Sequence, residues 1–426
     1  MLIQFSVKNF RSVQETAVLS LVKGRGLELE FNNTFKPDAL ATPELLKSAV
    51  VYGANAAGKS NVIKSLSVMQ RIVLDSSKEG QIDKDLSLVV PFLLNETSSN
   101  EPCEFEVEFI SEGVRYQYGF SATKKRVLEE WLIAYPKGVA QSWIERVYNE
   151  KEEKYIWGGM SKLTGKKQMW RGATRLNALF LSTAIQLNNE QLLPVFRWFS
   201  QTLHVVGFGH LSSSFSAGLC EEDAQKEKIL SFLKKADVGI DDLKFEEEKI
   251  SLKTLPTDMP TKLKEKFLAD FEGNSLIDVK TIHLNDKGKE ITFEMEDESD
   301  GTQKIFALAG PWLDTLENGY VIVVDELHDN LHPLMVKYLI ELFHSKDTNH
   351  NNAQLLFTTH DTSILDQEIL RRDQIWFCKK NKNNSTELYP LTDFSPRKGV
   401  ENLEKGYLSG RYGALPFIKE KIEASC

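Results

Sequence analysis

Apolar and polar positions alternate from the first residues: Ile3, Phe5 and Val7 are set against Gln4, Ser6 and Lys8, the pattern of a strand with one buried face. A second strand is expected over 16–21, and 22–45 reads as loop. The β-branched run 48–52 predicts a short strand that stops at Gly53. Past a glycine-rich turn, Val62, Ile63, Leu66, Met69, Ile72 and Val73 recur at helical spacing and predict a helix over 60–76. Between 103 and 157 the period returns to two, with a hairpin around Glu112-Gly113. Residues 176–205 read as helical. Charged amphipathic helices are expected over 221–236 and 259–271, flanking a strand near 241–250. The last third alternates: strand at 292–295, helix at 301–316, strand at 321–325, helix at 334–345, then strands at 354–360 and around 374–378. That alternation predicts a mostly parallel sheet with crossover helices. Internal repeats and sustained heptads are absent, so no long coiled coil is expected.

The turn between the strand at 48–52 and the helix at 60–76 reads Gly53-Ala-Asn-Ala-Ala-Gly58-Lys59-Ser60. This matches GxxxxGK[ST] in the strand–turn–helix setting that the chemistry needs. Glycines let backbone N–H groups curl around phosphate oxygens, and the helix adds the positive end of its dipole. Lys59 is placed to reach the β- and γ-phosphates, and the Ser60 hydroxyl to ligate Mg²⁺. Gly53, Asn55, Gly58, Lys59, Ser60 and the following Asn61 are the candidate nucleotide-binding residues here.

A phosphate loop requires an acid on a neighbouring strand, and VIVVDELHDNLHP (321–333) supplies one. Four apolar residues run through a buried parallel strand. Asp325 and Glu326 then emerge at its carboxyl end, where ligands bind in such sheets. Asp325 is the metal-side acid, and Glu326 the base or water-orienting group for attack on the γ-phosphate. The same stretch admits a zinc reading, since His328 and His332 stand four apart. Pro333 disfavours helical geometry at His332, however, and the glutamate of a zinc-protease helix is missing. The zinc reading is therefore set aside. A third apolar strand, QLLFTTH, ends in His360, which would stand beside the carboxylates if the two strands are neighbours.

These stretches, in this order, resemble the ABC-type ATPase heads of the SMC, RecF and OLD families. ESDGTQ (298–303) resembles their signature motif, with Asp300 where the family has glycine. The resemblance implies that Ser299 and Gly301 bind the γ-phosphate of ATP held by a second subunit. It also implies that Arg11, in NFRS (9–12), lies near the nucleotide. Gln186, in FLSTAIQLNNEQ, is the candidate for a glutamine reaching Mg²⁺ and the attacking water, with Asn188 and Gln191 close by. DQIWF and GYLSGRYGALP (406–416) are similar to the C-terminal part of bacterial RloA- and AbiL-type phage-defence ATPases, usually encoded beside an effector. The implied fold class is α/β: an ABC-type P-loop ATPase head with a mixed sheet, an antiparallel β subdomain and a compact helical insertion. The expected boundaries are 1–175 for the N-terminal lobe, 176–290 for a mainly helical insertion and 291–426 for the C-terminal lobe.

Length and composition narrow the function. About 240 residues separate Ser60 from Ser299. They hold no rod-forming pattern, so bridging of distant DNA is not expected. The 66 residues after His360 contain no trio of acids spaced for two-metal chemistry, so no built-in nuclease is expected. A net charge of −9 argues against coating nucleic acid by bulk electrostatics. A local basic stretch, SKLTGKKQMWRGATR (161–175), still offers five cations and Trp170 to a nucleic acid. Cysteines at 103, 220, 378 and 426 form neither a metal motif nor a disulfide framework. With no signal peptide in MLIQFSVKNFRS and no membrane-length apolar run, a cytoplasmic chain is expected. The leading expectation is an ATP- and Mg²⁺-dependent switch. It pairs as a homodimer or larger even-numbered oligomer through an ATP sandwich and controls an effector in anti-phage defence. The alternative is a RecF-like DNA-binding repair protein, and a self-sufficient nuclease is a third possibility.

Overall fold

The computed structural model describes residues 1–78, 85–206, 212–249, 275–396, 399 and 401–415. The chain divides into two compact units: Met1–Phe208 with Thr315–Asp329 and Val336–Cys426, and Gly209–Asp314 with Asn330–Met335. The helix expected over 259–271 lies outside the described residues.

The first unit is built on two sheets. One has seven antiparallel strands in the order Lys154–Gly158, Gln141–Asn149, Val127–Ala134, Val114–Ala122, Cys103–Ser111, Leu2–Lys8 and Ala17–Ser20. Its predicted hairpin is present, with Ser111 opposite Val114 and both turn residues at positive φ, Glu112 at 48° and Gly113 at 73°. The other sheet has six strands in the order Leu203–Val206, Val321–Val324, Gln354–Thr358, Ser48–Gly53, Ile375–Lys380 and Thr386–Pro390. The first five are parallel and the last is an antiparallel edge. The central strands are buried along their whole length, as parallel strands covered on both faces must be. One continuous core joins Phe105 and Phe109 of the first sheet to Val51, Val323 and Leu356 of the second, and to Val62 and Leu66 of the helix Lys59–Asp75.

A fully buried ion pair ties the antiparallel sheet to the helix Phe180–Gln186. Glu130 accepts from the Phe180 and Leu181 amides at 2.6 and 2.9 Å and from the Tyr118 hydroxyl at 3.1 Å. Arg146 lies 3.4 Å from the same carboxylate and donates to the Ala178 carbonyl at 2.8 Å. Burial raises the Glu130 proton affinity, while Arg146 and the helix amides oppose that.

The second unit holds the helices Ser214–Leu219 and Asp223–Lys235 and a three-stranded sheet, Asp242–Lys249, Ser275–Leu284 and Glu290–Glu294. It also holds most of the helix Asp300–Asn318. The strand Ser275–Leu284 escaped notice because polar residues interrupt its alternation. On its outward side, Lys280 bridges Glu246 and Glu294 at 3.1 Å each. Among the described residues the longest helix is Asp300–Asn318, at 19 residues, and no helix is long and apolar enough to cross a membrane. Cys103, Cys220 and Cys378 are free and buried, and burial pushes their thiols up to about 12, 11 and 12.

Candidate active site

Strand order creates the site. Gln354–Thr358 lies between Ser48–Gly53 and Val321–Val324, with Thr358 beside Val51 and Phe357 beside Val324. The carboxyl ends of three parallel strands therefore deliver the phosphate loop, the acid pair and His360 to one edge of the sheet. His360 does stand next to the acid strand.

The loop 53–60 is shaped by close backbone approaches. A side chain on Gly53 would overlap the Cys378 carbonyl, and one on Gly58, at φ 105°, would overlap Thr386 Oγ1. Thr386 Oγ1 donates to the Ala57 carbonyl at 2.9 Å and lies 2.8 Å from Ser12 Oγ, while the Thr386 amide donates to the Ser12 carbonyl at 2.7 Å. Asn61 Nδ2 donates to the same Ser12 Oγ at 2.7 Å. Asn55 is exposed at the tip. The Ala54 amide donates to the Ala414 carbonyl at 3.0 Å, which places the segment GRYGA (410–414) against the loop. Arg11, at φ 50°, immediately precedes Ser12, and its Nε is buried without an acceptor.

Lys59 is buried and donates to the Gly53 and Ala54 carbonyls at 2.9 and 3.3 Å. Burial lowers its proton affinity; Glu326, Cys378 and Asp325 pull the other way. On the adjacent strand end, the Thr358 hydroxyl donates to Asp325 Oδ1 at 2.6 Å and accepts from the Glu326 amide at 2.8 Å. One hydroxyl thus fixes both acids. Glu326 turns into the left-handed region, φ 51°, which separates its carboxylate from the line of the strand. Burial raises its proton affinity, the negative charges of Asp329 and Asp325 add to this, and Lys59 opposes it. A half-buried carboxyl shifted upward in this way suits a general base.

His360 is exposed, and its Nε2 lies 3.0 Å from His328 Nε2. One of these nitrogens must carry the proton and the other accept it. His328 therefore has a partner in the site, outside any helix. Residues 325–332 form a turn and the helix Pro333–His344 begins at the proline, as the zinc argument required. No cluster of three metal-ligating side chains occurs among the described residues.

Gln186 is not brought into this group. It is exposed at the C-terminal end of Phe180–Gln186 and hydrogen-bonded to none of these residues. Its neighbour Gln191 is occupied by Thr164 and the Lys162 carbonyl. Ser299, in the second unit, caps the helix Asp300–Asn318: its Oγ accepts from the Thr302 amide at 3.2 Å and lies 2.9 Å from the Thr302 hydroxyl. At Gly301 an added Cβ would sit 2.8 Å from the Asn330 carbonyl. Of the residues that sequence reasoning passed over, Thr358 had a signal, a hydroxyl beside His360 in TTH. Ser12 and Thr386 had none.

The oxygen donors Ser60 and Asp325 suit Mg²⁺, a hard cation that takes hydroxyl and carboxylate ligands. The glycine-lined cradle, with a buried ammonium bonded only to its own loop carbonyls, suits a polyphosphate.

Residues 48–154 and 219–366 match the family model described as "AAA domain, putative AbiEii toxin, Type IV TA system", which spans more than half of the chain. No curated protein matches the chain. Among solved structures it is similar to the SMC head domain from Thermotoga maritima, at 12% identity and TM-score 0.39, covering 91% of this chain and 98% of that one. An SMC head bound to the C-terminal winged-helix domain of ScpA has 14% identity and TM-score 0.44, covering 91% and 96%. The recombination mediator protein RecF has 12% identity and TM-score 0.35, covering 91% and 98%.

Proposed function

The chain belongs to the AAA-domain family that carries this AbiEii description, and from that membership we propose that it is an ATP-hydrolysing switch controlling a partner effector in anti-phage defence. The observation that supports this best is the convergence of Lys59, Asp325, Glu326 and His360 at one sheet edge, with Thr358 fixing both acids.

In this reading the amides of 53–60 hold the phosphates of ATP, and Lys59 exchanges its loop carbonyls for β- and γ-phosphate oxygens. Ser60 and Asp325 hold Mg²⁺, which when bound neutralises charge on the phosphates. Glu326 accepts the proton of the attacking water. His360 donates to the γ-phosphate, and Arg11 lies by the nucleotide. Gln186 reaches the site only once its segment moves. Ser299 and Gly301 serve the site of a second copy. Closure on ATP and opening on hydrolysis are then the two states an effector reads. The family's description, which names a toxin and a toxin–antitoxin system, supports a defence role.

The test pairs two variants. Lys59→Ala should abolish ATP binding. Glu326→Gln should bind ATP and lose turnover by about 10²-fold or more, the scale of a lost general base. Phage protection in the host should fail with both. Intact turnover and protection in both variants would remove the proposal.

A further inference from the structure

Beside the helix that carries Gln186, and apart from the phosphate loop, two clefts adjoin. The first, of about 720 Å³, is lined by Trp157, Met160, Ser161, Lys166, Lys167 and Arg171. The second, of about 470 Å³, shares Gly165, Lys166 and Met169 with it and adds Trp170, Asn188 and Glu190. Ligand pockets commonly run from about 300 to 1,000 Å³.

The charged groups lining the two clefts are all cations except Glu190. Lys162, Lys166, Lys167 and Arg171 form no ion pair among the described residues, in a chain of net charge −9. Arg171 leans on the Met160 sulfur, with Nε at 3.2 Å and Nη2 at 2.9 Å, and stands 5.3 Å from the Trp157 ring centroid. Lys167 finds only the Met160 carbonyl, at 3.0 Å. Trp170 is not the exposed stacking ring expected from sequence. It is 4% exposed, and its buried Nε1, a donor only, has no acceptor. Arg175 is also spent, on the Ser76 and Ser77 carbonyls at 3.1 Å each. Glu190 is the one acid lining either cleft.

Unpaired cations beside an unsatisfied indole N–H call for an acceptor-rich anion. We propose that the two clefts form a second nucleotide site, in which Lys166, Lys167 and Arg171 bind phosphate and the Trp170–Glu190 cleft takes the attached base. A free nucleotide and one unit of a single strand share this chemistry. The site ends on 187–191, directly after Gln186, so its occupant acts on the segment that the ATPase reading needs to move. That consequence rests on the ATPase reading; the binding itself does not.

The test uses full-length Lys59→Ala protein, so that binding at the phosphate loop does not contribute. Fluorescein-labelled dT20 is followed by anisotropy at low and moderate salt, with the dinucleotide pTpT as competitor. Binding should weaken about tenfold or more on Lys166→Glu/Lys167→Glu, the loss of at least one charge-assisted hydrogen bond, and should survive Lys166→Arg/Lys167→Arg. Thermal melts confirm that each variant is folded. Competition by pTpT shows that two linked nucleotides suffice, and binding of dT20 alone identifies a longer strand. Binding of neither probe, or indifference to the double charge reversal, overturns the proposal.

Discussion

At the residue scale, two threonines do more to shape the site than most of the motif residues around them. Thr358 holds the Asp325 carboxylate and the Glu326 backbone amide through one hydroxyl, and Thr386 holds the phosphate loop through another. The Thr386 contact is specific: its hydroxyl takes the Ala57 carbonyl, and only glycine at 58 leaves it room. Thr386→Val keeps the shape and leaves a buried carbonyl without its donor, a cost of about 1–3 kcal/mol. Because that carbonyl belongs to the loop, the cost is expected to fall on nucleotide binding. The KM for ATP should rise about tenfold with a much smaller change in kcat, and Thr386→Ser should restore it. An unchanged KM in the valine variant would show that the loop holds its shape without the brace.

At the scale of elements, the phosphate loop and the acid strand were legible because their chemistry restricts every residue over a short span. Glycines, a lysine and a hydroxyl must follow one strand, and an apolar run must end in acids. The Thr386 brace was illegible because its partners Ala57 and Ser12 lie 329 and 374 positions away and threonine is ordinary on a strand. The basic stretch was misread in one respect: sequence shows that Trp170 lies among cations, and only packing shows that the ring is buried. The helix Asp300–Asn318 makes the same point. Pro311 within it has no N–H for the Ala307 carbonyl. Ser216 fills that place from another helix, donating to Ala307 at 3.2 Å and accepting from the Gly310 amide at 2.9 Å. Ser216→Ala should therefore cost about 1–3 kcal/mol, the penalty of an unsatisfied buried carbonyl, seen as a lower urea midpoint. Replacement of the exposed Ser212 should leave the midpoint in place. Equal midpoints for the two variants would mean that the helix satisfies Ala307 by other means.

At the scale of the whole molecule, the proposed switch requires two copies, and charge works against them. Each chain carries a formal −9, so pairing must overcome mutual repulsion. ATP adds further negative charge, which the amides of the phosphate loop, Lys59 and Mg²⁺ must offset locally. Ser299 stands exposed at the N-terminus of a 19-residue helix, where the dipole favours an anion. Two expectations follow for light scattering after gel filtration. Glu326→Gln with ATP and Mg²⁺ should pair, more strongly as salt rises from low to physiological levels, because screening relieves the repulsion between like-charged chains. Ser299→Arg/Glu326→Gln should remain single under the same conditions. Shared sites also predict rescue by mixing. A pair made from one Lys59→Ala chain and one Ser299→Arg chain keeps one intact phosphate loop facing one intact Ser299 segment. ATP turnover should therefore return when two separately inactive proteins are combined. If the mixture stays inactive while wild type turns over ATP as a single chain, each copy completes its own site and the two-copy switch is wrong.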